Sequence, residues 1–105
     1  MNGRFLGVRQ RKVWLLENGL GAPLLYLHGF VDVHSVKESW MPFHDRLAAT
    51  ARVIAPAHPG CSQSDENNDI EAVEDVVFHY LEFLDALNIP QFDLLGSCVG
   101  GWIAA

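Results

Sequence analysis

Gly96-Ser97-Cys98-Val99-Gly100 is the stretch of this chain whose residue types and spacing could carry covalent chemistry. It has the form G-x-nucleophile-x-G, with cysteine at the centre. A nucleophile on a sharp strand-to-helix turn must hold a strained backbone. The residues two before and two after it then come into contact, and Gly96 and Gly100 carry no Cβ to clash there. A helix starting just behind the turn offers free N–H groups and a partial positive charge. Those would favour a thiolate at Cys98 and, later, an oxyanion. Ser97 is a decoy by spacing, because the two glycines bracket Cys98 and not its neighbour.

The residues that should assist a nucleophile are fewer. All five histidines (His28, His34, His44, His58 and His79) precede Cys98. No CxxC and no clustered histidine pair is present, so no metal site is expected. Cys61 reads as an inert loop thiol. Two cysteines make no disulfide framework, and free thiols suit a reducing cytoplasm.

The elements that must position Cys98 follow from the apolar pattern. Phe92, Leu94 and Leu95 form a short apolar run that reads as a buried strand feeding the turn, and Gly101 to Ala105 as the first turn of a helix. Arg11–Glu17 reads as a strand. Leu24–Leu27 is continuously apolar, as a parallel strand covered on both faces requires, and runs into His28-Gly29-Phe30. A helix is expected from near Trp40, with Ser39 as N-cap and Phe43, Leu47 and Ala48 inward. Arg52–Ala55 is a further short strand, stopped by Pro56. Asn68 and Glu71 resemble a capping box. From Ile70 to Leu87 apolar residues recur at helical spacing (Val73, Val76, Val77, Tyr80, Leu81, Leu84), and Asn88 with Pro90 ends that helix. The order is a βαβ series, so the expected class is α/β: a mostly parallel sheet with helices on both faces, a three-layer αβα arrangement.

Composition sets outer limits. Half the residues are hydrophobic, enough for a core within one small domain. The net charge is −6 with no Lys/Arg run, so neither nucleic acid nor an anionic membrane surface is an expected partner. No stretch approaches the roughly 20 apolar residues of a membrane span.

With the elements placed, the chain resembles the N-terminal portion of the α/β-hydrolase superfamily, in its esterase, epoxide-hydrolase-like and C–C-bond-hydrolase-like branch. Three motifs appear in order. Leu24 to Phe30 (LLYLHGF) resembles the oxyanion-loop strand and its His-Gly. Val53 to Ser64 (VIAPAHPGCSQS) resembles the D-x-x-G-x-G-x-S loop, with Ala57 for Asp and Ser62 for Gly. Gly96 to Gly101 resembles the nucleophile elbow, with Cys98 for the usual Ser, as in members resembling dienelactone hydrolase.

The resemblance implies a carboxylesterase-type hydrolase acting on a carbonyl, ester-like small molecule, with no cofactor. Cys98 would be the nucleophile. The N–H groups of Phe30 and Val99 would form the oxyanion hole, and His28, Gly29, Gly96 and Gly100 would support loop and elbow. In the family an acid and then a His follow the nucleophile. Neither follows Cys98 here, so the expectation is a single, incomplete N-terminal domain over residues 1–105, a fragment without turnover of its own. The alternative is a non-catalytic remnant or interaction module that keeps the fold core. A direct thiol enzyme or sensor at Cys98 ranks below both. His28 belongs to the loop's architecture by its motif position, and not to general base catalysis. The strand before the elbow would leave an exposed apolar sheet edge, through which the chain is expected to self-associate.

Overall fold

The computed structural model describes residues 2–29, 42–61, 64–65, 70, 72–97 and 99–104. Among these the chain forms five strands, β1 (Asn2–Val8), β2 (Arg11–Asn18), β3 (Pro23–Leu27), β4 (Arg52–Pro56) and β5 (Asp93–Gly96). It also forms three helices, α1 (Pro42–Ala48), α2 (Val73–Ala86) and α3 (Val99–Ala104). The strands make one sheet in the order β1-β2-β4-β3-β5. β3 pairs in parallel with β4 (Leu24 beside Val53) and with β5 (Leu25 beside Leu94). β2 joins β4 antiparallel, with Leu16 opposite Ala55, and β1 folds back on β2 as a hairpin.

The continuous apolar runs become strands because both faces of the sheet are covered. Alternate side chains enter two separate cores. Val13, Leu15, Leu25, Leu27 and Ile54 meet Tyr80, Phe83 and Leu84 of α2, with Ile103 of α3 packed alongside. Leu16, Tyr26, Val53 and Ala55 meet Ala48 of α1 on the opposite side. This three-layer order follows from chain direction. β3 to β4 and β4 to β5 cross the sheet in opposite senses, so crossovers of one hand must place their helices on opposite faces.

β1 was not expected from the sequence. Its residues are mostly exposed, and only Leu6 and Val8 reach the α2 core. α1 is rotated relative to expectation: His44 is fully buried while Phe43 is 44% exposed. The His44 ring meets Tyr26 edge-on at 4.8 Å, and Ala48 one turn on completes the buried stripe. The expected N-cap Ser39 and the Asn68/Glu71 pair lie outside the described residues. At the start of α2 the Asp75 carboxylate accepts the Ala72 N–H at 3.2 Å. α2 ends as expected: Asn88 takes a left-handed φ of 58°, and Ile89 N–H reaches back to the Leu84 carbonyl at 3.1 Å.

Candidate active site

β3, β4 and β5 all end on one edge of the sheet. The chain leaving β3 heads for the α1 face, whereas the chains leaving β4 and β5 turn to the α2/α3 face. Adjacent parallel strands whose exits part in this way leave a crevice at their carboxyl ends, the place where open α/β sheets bind ligands. His28 and Gly29 lie there at the end of β3, both buried, and Ser97 follows β5. Cys98 and Phe30 lie outside the described residues. Val99 is the first residue of α3.

The turn after β5 is tight. Ser97 N–H donates to the Leu27 carbonyl at 3.0 Å, and Gly100 N–H donates to the Ser97 carbonyl at 2.9 Å. A Cβ on Gly96 would strike the Gly100 carbonyl and lie 2.6 Å from the Gly101 Cα. A Cβ on Gly100 would strike the Leu27 carbonyl and lie 2.8 Å from the His28 carbonyl oxygen. The start of α3 therefore rests directly on the backbone that leaves β3, and only glycine permits that approach.

The His28 ring is engaged at both nitrogens. Nε2 accepts the His58 backbone N–H at 2.9 Å, and Nδ1 lies 2.9 Å from the Gly29 carbonyl oxygen. A ring whose Nε2 lone pair faces a backbone donor must carry its proton on Nδ1, and it has no lone pair left to take one from a nucleophile. His58 is buried in turn. Its Nε2 donates to the His28 carbonyl at 2.8 Å, and its Nδ1 meets the Tyr80 hydroxyl of α2. Burial pushes the Tyr80 hydroxyl well above its ordinary value, and the nearby Cys61 adds to this. Burial also raises the Cys61 thiol, which suits an unreactive side chain.

The loop after β4 is tied to β2. Ala57 N–H donates to the Trp14 carbonyl at 2.8 Å. Ser64 Oγ accepts the Trp14 N–H at 2.8 Å and donates to the Ala57 carbonyl at 3.0 Å. Asp65 Oδ2 accepts the Lys12 N–H at 2.8 Å. The sequence motifs place His58 and Ser64 in the loop after β4 and Tyr80 on the α2 stripe, and give none of them, nor Asp65, a part in the site. One signal was available for Tyr80: a tyrosine on the apolar stripe of a helix needs a partner for its hydroxyl once buried. Among the described residues, no group of three or more His, Cys, Asp or Glu is placed to hold a metal ion. No helix among them is long and apolar enough to cross a membrane.

The family profile described as alpha/beta hydrolase fold matches residues 22–105. The chain belongs to the α/β-hydrolase family. It is 38% identical over 91 residues to 2-hydroxymuconate semialdehyde hydrolase of Pseudomonas sp. (strain CF600), covering 86% of this chain and 32% of that protein. It is 33% identical over 88 residues to the dihydrolipoyllysine-residue acetyltransferase component of the acetoin cleaving system of Pseudomonas putida, covering 80% of this chain and 22% of that protein. Among solved structures it is similar to the meta-cleavage product hydrolase CumD of Pseudomonas fluorescens IP01, at 25% identity and a TM-score of 0.82, covering 97% of this chain and 38% of that one. The chain thus spans between 22% and 38% of the length of these relatives.

Proposed function

We propose that this chain carries the nucleophile half of an α/β-hydrolase that acts on a carbonyl, ester-like substrate. Cys98 attacks the carbonyl carbon, and the N–H groups of Val99 and Phe30 receive the oxyanion. Gly96 and Gly100 allow the elbow, and His28 and Gly29 shape the facing loop. The observation that supports this reading is the close seat of Gly100 on the Leu27 and His28 carbonyls, which sets the turn holding Cys98 against the turn holding Gly29. Removing one oxyanion donor typically lowers such rates by about 10²–10³.

With an activated ester the step needs no further residue. The thiolate sulfur forms a bond to the carbonyl carbon, the C=O electron pair moves to oxygen, and its return expels p-nitrophenolate, which leaves without a proton. Hydrolysis of the resulting thioester is different. It requires a base to activate water. The fuller substrate is sought first among carbonyl compounds of the kind its semialdehyde hydrolase relative names. Two cysteines without a disulfide framework support a reducing cytoplasm as its location.

A competing reading, a non-catalytic module that keeps the fold core, draws on Cys98, Ala57 and Ser62, which stand where the resembled motifs have Ser, Asp and Gly. One experiment decides between them. In a Cys61→Ala background, Cys98 acylation by p-nitrophenyl acetate is measured beside its alkylation by iodoacetamide, and both are compared with N-acetylcysteine. Alkylation reports the thiolate and forms no oxyanion. The expected result is one acetyl group on Cys98, with an acylation-to-alkylation ratio at least about tenfold above the small thiol. A ratio equal to that of the small thiol would leave the non-catalytic reading standing.

A further inference from the structure

We propose that His58, seated by Tyr80, is a positioning residue for this acyl transfer, acting through His28 on the peptide that begins the oxyanion loop. The inference rests on the function proposed above and adds to it a relay reaching back to α2.

The hydrogen bonds admit one proton arrangement. The His28 carbonyl can only accept, so the His58 nitrogen 2.8 Å away, Nε2, carries a hydrogen. In a neutral ring Nδ1 is then bare and accepts the Tyr80 hydroxyl hydrogen. His28 Nε2 accepts the His58 backbone N–H, so His28 carries its hydrogen on Nδ1 and donates it to the Gly29 carbonyl. The two rings stack at 3.8 Å between centroids, and Tyr80 closes the group from the helix side. His28, His58 and Tyr80 are all buried, so water does not compete for these bonds.

Each bond sets a peptide plane. His58 Nε2 holds the carbonyl of the His28–Gly29 peptide. His28 Nδ1 holds the carbonyl of the peptide that follows Gly29. A peptide unit is planar, so fixing its carbonyl also fixes the direction of its N–H. By sequence the N–H of the second unit belongs to Phe30, the proposed oxyanion donor, which itself lies outside the described residues. The His28 carbonyl fixes the His58 tautomer, the Tyr80 hydroxyl holds the His58 ring in place, the His58 backbone N–H sets the His28 tautomer, and His28 holds that second peptide. Misplacement of a reacting group by about 1 Å can lower a rate by as much as 10².

The test uses the full 105-residue chain with Cys61→Ala and reads the same ratio of acylation to alkylation at Cys98. His58→Phe keeps a ring to stack on His28 and removes both ring hydrogen bonds. His58→Gln returns an N–H within reach of the His28 carbonyl. The expected outcome is a ratio lowered about tenfold or more in His58→Phe and restored to within about threefold of the parent in His58→Gln. A ratio unchanged in His58→Phe overturns the proposal. An equal fall in both variants also overturns it, because packing and not the donor would then be responsible. Should His58→Phe fail to fold, Tyr80→Phe takes its place: a fall of about threefold or more supports the relay, and an unchanged ratio overturns it. A parent chain whose ratio matches N-acetylcysteine refutes the underlying function instead, an outcome visible before any His58 variant is made.

Discussion

His79 shows how one side chain can couple this fold to acidity. It lies on α2, 7% exposed, and its Nε2 is buried with no hydrogen-bond partner among the described residues. Burial holds it below the ordinary imidazole value; Glu82 opposes this and Arg11 adds to it. The folded chain therefore binds this proton less tightly than the unfolded chain does. Its contribution is whole above the unfolded value of about 6.5 and is lost as the pH falls from there towards the lower folded value. Glu17 acts in a lower window. Burial works against its charge, yet Arg4 and Arg52 hold it below its ordinary value, so its stabilisation fades only in stronger acid. We expect the urea midpoint to fall between pH 7.5 and 5.5, and His79→Phe to flatten part of that fall. Parallel pH curves for parent and variant would exclude His79 as a contributor.

The elements carry their own strain, and the β1–β2 hairpin holds most of it. Val8 pairs with Arg11, leaving Arg9 and Gln10 as a two-residue turn with φ of 47° and 67°. That geometry belongs to Asn-Gly, and left-handed backbone costs an ordinary L-residue about 1–2 kcal/mol. Arg9 meets Glu82 across an exposed pair, which is worth little. Replacing Arg9-Gln10 by Asn-Gly should stabilise the chain by about 1 kcal/mol after the entropy of the new glycine is counted, read from urea unfolding. A loss of stability would mean that the Arg9 side chain matters more than its backbone. The same elements mark the limit of sequence reading. β3, β4 and β5 were legible because continuous apolar runs have few other uses, and α2 because its stripe is long. β1 was not, since Gly3 and Gly7 interrupt it and few of its side chains reach a core. The phase of α1 was missed because a buried histidine replaces a phenylalanine on its inner face. At the site, the glycine spacing pointed to the turn, whereas the contact between His58 and Tyr80 joins a loop to a helix and leaves no periodic trace.

At the scale of the whole molecule the apolar surface is unevenly covered. β5 ends the sheet order, and Leu94 on it is 43% exposed. Val77 and Leu81 of α2 line the same surface hollow as Leu94, and Trp102 of α3 is exposed as well. An edge strand offers unpaired backbone groups, and apolar neighbours add a reason to bury them. We expect the 105-residue chain to associate with itself in a concentration-dependent manner, and Leu94→Lys to shift sedimentation towards monomer. A parent chain that sediments as a monomer across the micromolar range would count against this edge.

The order of the strands also dictates when the crevice can exist. The β1–β2 hairpin joins residues close in sequence, whereas the pairing of β3 with β5 and the seat of Gly100 on Leu27 close the longest loop in the sheet. Loop-closure entropy must be met before such distant contacts stabilise anything, so local pieces form early and remote pairings late. The thiol turn is thus among the last parts to assemble during folding. During refolding the Ser97 amide, bonded to the Leu27 carbonyl in the folded chain, stays open to hydrogen exchange after the hairpin has formed, which makes its protection a clock for the final docking of β5.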